Sequence, residues 1–403
     1  MKENNMGEEK GFYKNFFSIY IALVLQNVVT LSVNLADNIM LGSYSETALA
    51  GVAAVNQIQF VYQQLLLALG DGLVIFGSQY WGKGKTEPMR RIAATAMQTA
   101  LLIGIVLFVL VSIFPYEAMG IFTTDQPIIQ QGVQYLGIIR FTYLFFAVTQ
   151  LLLASLRMVE TVKIAFILSI VTFFINCGIN YVLIFGNFGA PCLGAEGAAI
   201  GTLTARIVEC IILISFLVGK EKKLHLKVTD YIHFDPVLAR DYFKVALPIF
   251  MVQGLWGLNT ALQTVILGHM TAAAIAANSV ASTLFLMVKS IAVGASSTAS
   301  IIIGKTIGIG NIKRVMEYSS RLQRMFVGLG IFAGALLFLL RVPLLSLYDL
   351  SPATKAMANS FLIILSVVCV GMSYQMPTNN GIIRGGGSAM YVMKMDLISI
   401  WMI

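Results

Sequence analysis

Long apolar blocks alternate with short polar stretches along the whole chain. The blocks run at about 12–41, 48–80, 91–114, 130–156, 163–185 and 195–218. After the polar stretch GKEKKLHLKVTDYIHFDPVLARDY they resume at about 242–268, 272–303, 315–341 and 355–383, and an eleventh opens near Met390. Each whole block is long enough to cross a hydrocarbon layer about 30 Å thick, which takes roughly 20 residues of helix. Backbone groups in that layer have no water to bond with, so each block is predicted to be a helix. The leading segment MKENNMGEEKGFYK mixes acids with bases and has no small-residue cleavage site, so the first helix is expected to be retained.

The two halves repeat one another. An offset of 226 positions aligns Leu41-Gly42 with Leu267-Gly268, Ala50 with Ala276, Gly82 with Gly308 and Gly84 with Gly310, and an offset of 227 aligns Arg157 with Arg384. An even number of helices precedes the second copy, so the copies run parallel. The expected fold is all-α and polytopic, with two parallel six-helix lobes related by a pseudo-two-fold axis along the membrane normal and flanking a central cavity. The lobes are assigned to residues 1–220 and 242–403, with a cytoplasmic linker at 221–241. Under the 227 offset Ile403 matches Asn176, so the second lobe is expected to be incomplete, truncated in its fifth helix.

Composition narrows the function. The chain is 58% hydrophobic and 11% charged, against about 25% charged for a soluble domain, which excludes a water-soluble enzyme. Its formal charge of +8 would suit nucleic acid, but its distribution has another cause. With the N-terminus in the cytoplasm, the inner segments hold Lys83, Lys85, Arg90, Arg91, Lys220, Lys222, Lys223 and most other bases, whereas SYSET, PYEAMGIFTTDQP and NFGAPCLGAEG hold none. This positive-inside pattern places the chain in the cell (inner) membrane without a nucleic-acid partner. Cys177, Cys192, Cys210 and Cys369 have no metal-ligand spacing, and His225, His233 and His269 are scattered, so neither cofactor nor metal centre is implied. No HExxH helix or Ser/His pair suggests an intramembrane enzyme.

Several stretches resemble the multidrug and toxic compound extrusion family. They are LADNIMLGSYSETALAGVA, GSQYWGKGK, LRMVETVKIAFILSIV, NCGINYVLIFG and LGAEGAAIGT in the first half, and KVALPIF, ILGHMTAAAIAANSV, IIGKTIGIGN and IIRGGGSAMYVMKMDLISIW in the second. The resemblance covers essentially everything from Phe16 onward. It implies an antiporter, expected to act as a monomer, that expels bulky, often cationic drug-like compounds in exchange for H+ or Na+. A lipid-linked-saccharide flippase of the same superfamily is the alternative. Such a protein needs a strongly basic cavity for phosphate, and here the intramembrane bases are few: Arg140, Arg206 and Lys289. A channel fits the two-lobe repeat less well than alternating access does.

The polar residues inside the blocks supply candidate chemistry. Asp37 lies near the outer end of the first helix. Asn176 and Asn180, four apart, share a face of the fifth, and Thr202 reaches a similar depth in the sixth. Four oxygen-bearing side chains at one level suit a sodium ion or a protonatable carboxylate. In an ordinary role Asp37 would be an interfacial acid reaching outer water, and the amides would be interhelical bonds. The family's first-helix acid, fifth-helix polar pair and sixth-helix threonine fall on these four positions. Many relatives have aspartate where this chain has Asn180, which favours protons over sodium. The seventh helix has Gln253, Asn259 and Gln263 but no acid. Gln253, Trp256, Asn259, Lys289, Tyr374, Gln375 and Asn379 are candidate cavity residues, near the helix-interrupting Pro248 and Pro377. Arg206 and Glu209 are spaced to neutralise each other on one helix, whereas Asp71, Arg140 and Lys289 have no partner visible in sequence.

Overall fold

The computed structural model describes residues 2–224, 226, 228–232, 235–268, 272–346 and 351–401. His225, His233 and His269 lie outside them, as does the side chain of Gln263. The described residues form helices and no strands: α1 Lys2–Tyr44, α2 Glu46–Gly82, α3 Thr86–Ile113, α4 Pro115–Gly120, α5 Gln126–Ile139, α6 Thr142–Met158, α7 Lys163–Phe185, α8 Ala195–Gly219, α9 Pro236–Gly268, α10 Ala272–Ile309, α11 Ile312–Ser346, α12 Pro352–Met376 and α13 Ala389–Trp401. Among the described residues eight helices are long and apolar enough to cross a membrane, or nine if α5 and α6 form one span. The all-α, polytopic expectation holds.

One block departs from its prediction. Residues 130–156 read as a single helix, but α5 and α6 meet at an angle of 54°. The break lies where the backbone tightens, with Phe141 N–H donating to Ile138 O and Tyr143 N–H to Arg140 O, both at 3.2 Å. Such i→i+3 bonds shift the ladder and leave carbonyls to satisfy. The Thr142 hydroxyl donates to Ile139 O at 2.6 Å and meets one of them, while the Tyr62 hydroxyl donates to Tyr143 O at 2.7 Å just beyond the break. Arg140, at the corner, lies over the rings of Phe108 and Phe141 at 5.7 and 5.4 Å from their centroids.

The prolines bring a second departure. The sequence predicts that Pro248 and Pro377 interrupt their helices. Instead α9 runs through Pro248, and α12 continues past Pro377 as a π-helical segment over Pro377–Ile383. Proline donates no backbone bond, and the wider π turn re-registers the carbonyls it would strand.

The chain divides into two compact units. One holds residues 1–28, 78–83 and 251–403, and the other holds 29–77 and 84–250. In the first, Phe12, Phe16 and Tyr20 of α1 join Ala277 and Leu284 of α10, Leu322 and Phe326 of α11, and Leu362 and Cys369 of α12 in one buried cluster. Gly82 and Gly308, partners in the sequence repeat, meet here. A Cβ on Gly82 would stand 2.9 Å from Gly308 Cα, and one on Gly308 would overlap the Gln79 carbonyl. In the second unit Tyr62, Leu66, Leu73, Ile92 and Tyr143 are fully or almost fully buried. Its last helix is capped from the polar linker: Asp235 accepts from the N–H groups of Val237 and Leu238 at 3.1 and 3.2 Å. The Leu238 amide first, then Arg91 and Val237, hold its carboxyl below the usual aspartate range.

The backbone repeats at the offsets read from the sequence. Gly84 and Gly310 are both left-handed, with φ of 68° and 82°, and so are Glu160 and Gly387, at 59° and 90°. Thr161 N–H donates to Leu156 O at 2.9 Å, and Ser388 N–H to Ile383 O at 3.2 Å, closing the same turn. The arginine that precedes each turn is opposed by a carboxylate: Arg157 by Asp71 and Arg384 by Asp396, each pair at 3.9 Å. The carboxylates are not repeat partners, because Asp71 matches Ser297 and Asp396 matches Ser169.

Gly308→Val is expected to lower the thermal midpoint of the purified protein, at a cost of about 1–3 kcal/mol from forcing backbones apart. Gly371→Ala in α12, where an added Cβ meets nothing within 4 Å, is expected to be neutral or to stabilise by roughly 0.5–1 kcal/mol. Equal losses in thermal melts of the two variants would contradict the close-approach account.

Candidate functional site

In the second unit α7 and α8 pack closely because α8 begins with small residues. A Cβ on Gly197 would come within 2.7 Å of the Leu183 carbonyl, and one on Gly201 would overlap Asn180 Oδ1. Gly201 therefore makes the space that Asn180 occupies. Asn176 and Asn180, one helical turn apart on α7, both face inward and are 2% and 0% exposed.

The four sequence-predicted residues form one hydrogen-bonded chain. Asn180 Nδ2 donates to Asp37 Oδ1 at 2.7 Å and to Asn176 Oδ1 at 3.2 Å. Asn176 Nδ2 donates to Thr202 Oγ1 at 3.2 Å. Three helices thus converge: Asp37 from α1, the amide pair from α7 and Thr202 from α8. The Asn180 amide gives its donors to Asp37 and Asn176, and its own Oδ1 is buried without a hydrogen-bond partner among the described residues. A buried acceptor left so costs about 1–3 kcal/mol unless a donor or cation reaches it.

Sequence reasoning missed one member. Tyr135 of α5 is 4% exposed, and its phenol lies within interaction range of Thr202 and of Asp37. Nothing in the local pattern distinguishes it from the other aromatic residues of its block. Arg206, one turn beyond Thr202 on α8, also acts on the Asp37 charge. Its guanidinium bonds to Glu209 at 2.7 Å, as the spacing predicted, and lies 4.8 Å from the Phe146 ring centroid.

The site offers oxygen ligands. Among the described residues no three His, Cys, Asp or Glu side chains converge on a point. Asp37 is the acid of the set, surrounded by amide, hydroxyl and phenol groups. Such a set can solvate a small hard cation, or stabilise a carboxyl that takes up and gives up a proton.

The cavity candidates fall in the other unit. Lys289 Nζ lies 5.0 Å from the centroid of the Trp256 ring. Gln253 and Asn259 stand three residues before and after Trp256 on α9, all three half-buried. Tyr374 and Gln375 are exposed near the end of α12, and Asn379 is half-buried in the π-helical segment. Asp71, unpartnered in the sequence, faces Arg157. Cys192 is exposed, Cys177 half-buried, and Cys210 and Cys369 buried, all as free thiols.

Comparison with known proteins gives a consistent result. The MatE family profile matches residues 22–182 and 248–403. A probable multidrug resistance protein NorM of Thermotoga maritima is 24% identical over 395 residues, spanning 96% of this chain and 83% of that protein. The probable multidrug resistance protein YoeA of Bacillus subtilis is 26% identical, spanning 94% of this chain and 83% of its own length. Among solved structures, a mutant of the Vibrio cholerae MATE transporter VcmN superposes with a TM-score of 0.89 at 16% identity, covering 98% of this chain and 88% of that one. The eukaryotic MATE transporter AtDTX14 superposes with a TM-score of 0.84 at 17% identity, covering 97% and 86%.

Thr202→Val keeps the side-chain shape but removes the acceptor for Asn176 Nδ2. It is expected to cost about 1–3 kcal/mol of stability, with Thr202→Ser close to wild type. Thermal melts of the two purified variants check this, and a valine variant as stable as the serine one would show the bond to be dispensable.

Proposed function

The chain belongs to the MatE family, and from that premise we propose that it is a secondary active antiporter, exporting bulky organic and often cationic compounds in exchange for H+ or Na+. It is a multi-pass membrane protein whose relatives are named for multidrug resistance. The reading includes a place in the cell membrane, with the N-terminus in the cytoplasm, and action as a monomer.

The observation that carries the coupling role is the bond from Asn180 to Asp37, made on a fully buried amide whose own oxygen lacks a partner. A carboxylate in an apolar layer is costly as an isolated charge, so its neutral or cation-bound form is favoured there. Neutralising Asp37 from outside would weaken its acceptance from Asn180 and change how α1 rests on α7. Release of the ion inside would restore the bond. Occupancy and helix position are then linked, which is what exchange of ion for cargo requires. Asn180 in place of an acid leaves one anionic ligand in the set, which supports a proton over sodium.

Asp37→Asn mimics the neutral state at nearly unchanged volume. In proteoliposomes of the full chain it is expected to fold and bind a fluorescent organic cation while its gradient-driven export falls to the level of empty vesicles. Wild-type export by this variant under an imposed gradient would assign coupling to another group. Asn180→Asp adds a second carboxylate and is expected to shift export toward sodium dependence, read as the ratio of rates under sodium and proton gradients. A ratio unchanged from wild type would sink that account of ion choice.

A further inference from the structure

Lys289 is a charge in the middle of a membrane helix. It lies 17 residues from Ala272 and 20 from Ile309 on α10, which is about 25–30 Å of helix in either direction. Its stem is too short to carry the ammonium to either end of that helix. Instead Nζ lies over the Trp256 ring, 5.0 Å from the centroid. An indole face attracts a cation, but an ammonium carries three donors and a ring accepts them poorly.

Among the described residues of the surrounding unit no carboxylate pairs with Lys289. From Met251 to Ser346 the chain has one acid, Glu317, and that residue pairs with Arg321 at 2.5 Å. The segment from Pro352 to Ile383 has none, and Asp396 on α13 faces Arg384. The unit's other acids, Glu3, Glu8, Glu9 and Asp349, belong to the start of α1 and the stretch beyond α11. Gln253 and Asn259 lie one turn either side of Trp256 and share its face of α9.

We infer that Trp256 and Lys289, flanked by Gln253 and Asn259, form a subsite for aromatic compounds that carry a carboxylate. The carboxylate takes charge-assisted hydrogen bonds from the ammonium, the ring stacks on the indole, and the amides bond to ring substituents. An organic cation on the same ring face would meet the Lys289 charge and compete with it. The inference rests on the export reading and narrows the class of cargo that one subsite accepts.

Equilibrium dialysis of the purified full chain tests it with three probes of one shape: 1-naphthoate, its uncharged methyl ester and 1-naphthylammonium. Naphthoate is expected to bind at least about tenfold more tightly than the ester, the effect of one charged hydrogen bond. Lys289→Met should abolish that preference and Lys289→Arg should keep it. Lys289→Met should also bind naphthylammonium several-fold more tightly than wild type, a gain that misfolding does not produce. Naphthoate binding no tighter than the ester in the wild type, or a preference retained in Lys289→Met, overturns the assignment. Failure of gradient-driven export with this binding pattern intact rejects the antiporter reading alone, and the reverse result rejects the subsite alone.

Discussion

A charge or an unbonded amide in a hydrocarbon layer has no water to turn to, and most of what is specific in this chain answers that constraint. The charges inside the blocks meet it in several ways. Glu209 lies beside Arg206 on one helix, Asp71 faces Arg157 of another, Arg140 rests on two phenyl rings, and Lys289 rests on an indole. Asp37 is held by an amide that is neutral itself. Among the described residues no fixed cation is bonded to it.

The backbone follows the same rule. Where α5 turns into α6 the carbonyl of Ile139 is taken up by the Thr142 hydroxyl. Where Pro377 withholds a donor, the helix widens rather than stops. Close helix contacts depend on residues without side chains, so the glycines at 82, 201 and 308 decide which helices can touch.

Much of this was legible in the sequence, for reasons that can be named. Block length against membrane thickness anticipated the eight helices that are long and apolar enough to cross, or nine with α5 and α6 as one span, among the described residues. The i,i+4 spacing of Asn176 and Asn180 put both on one face, and a count of residues from the helix ends put Asp37 and Thr202 level with them. The corner at Arg140 was not legible, since an apolar run has the same composition bent or straight. The π-helical segment was hidden too, because a proline marks a missing donor and not how the helix re-forms around it. Tyr135 joins the site through packing of α5 on α8, a long-range fact that no local spacing encodes. Lys289 was visible as a charge without a partner, but its ring lay on another helix.

The opposed arginines of the two halves bear on how the chain diverged from its own duplicate. Arg157 and Arg384 occupy matching positions, yet one takes its carboxylate from α2 and the other from α13, with serine at the corresponding place in each case. What the two halves share is a carboxylate opposite the guanidinium, not the position that supplies it. Columns 71 and 169, or 297 and 396, should then vary together among relatives, an aspartate disappearing from one as it arises in the other. Either column scored by itself would look unconstrained.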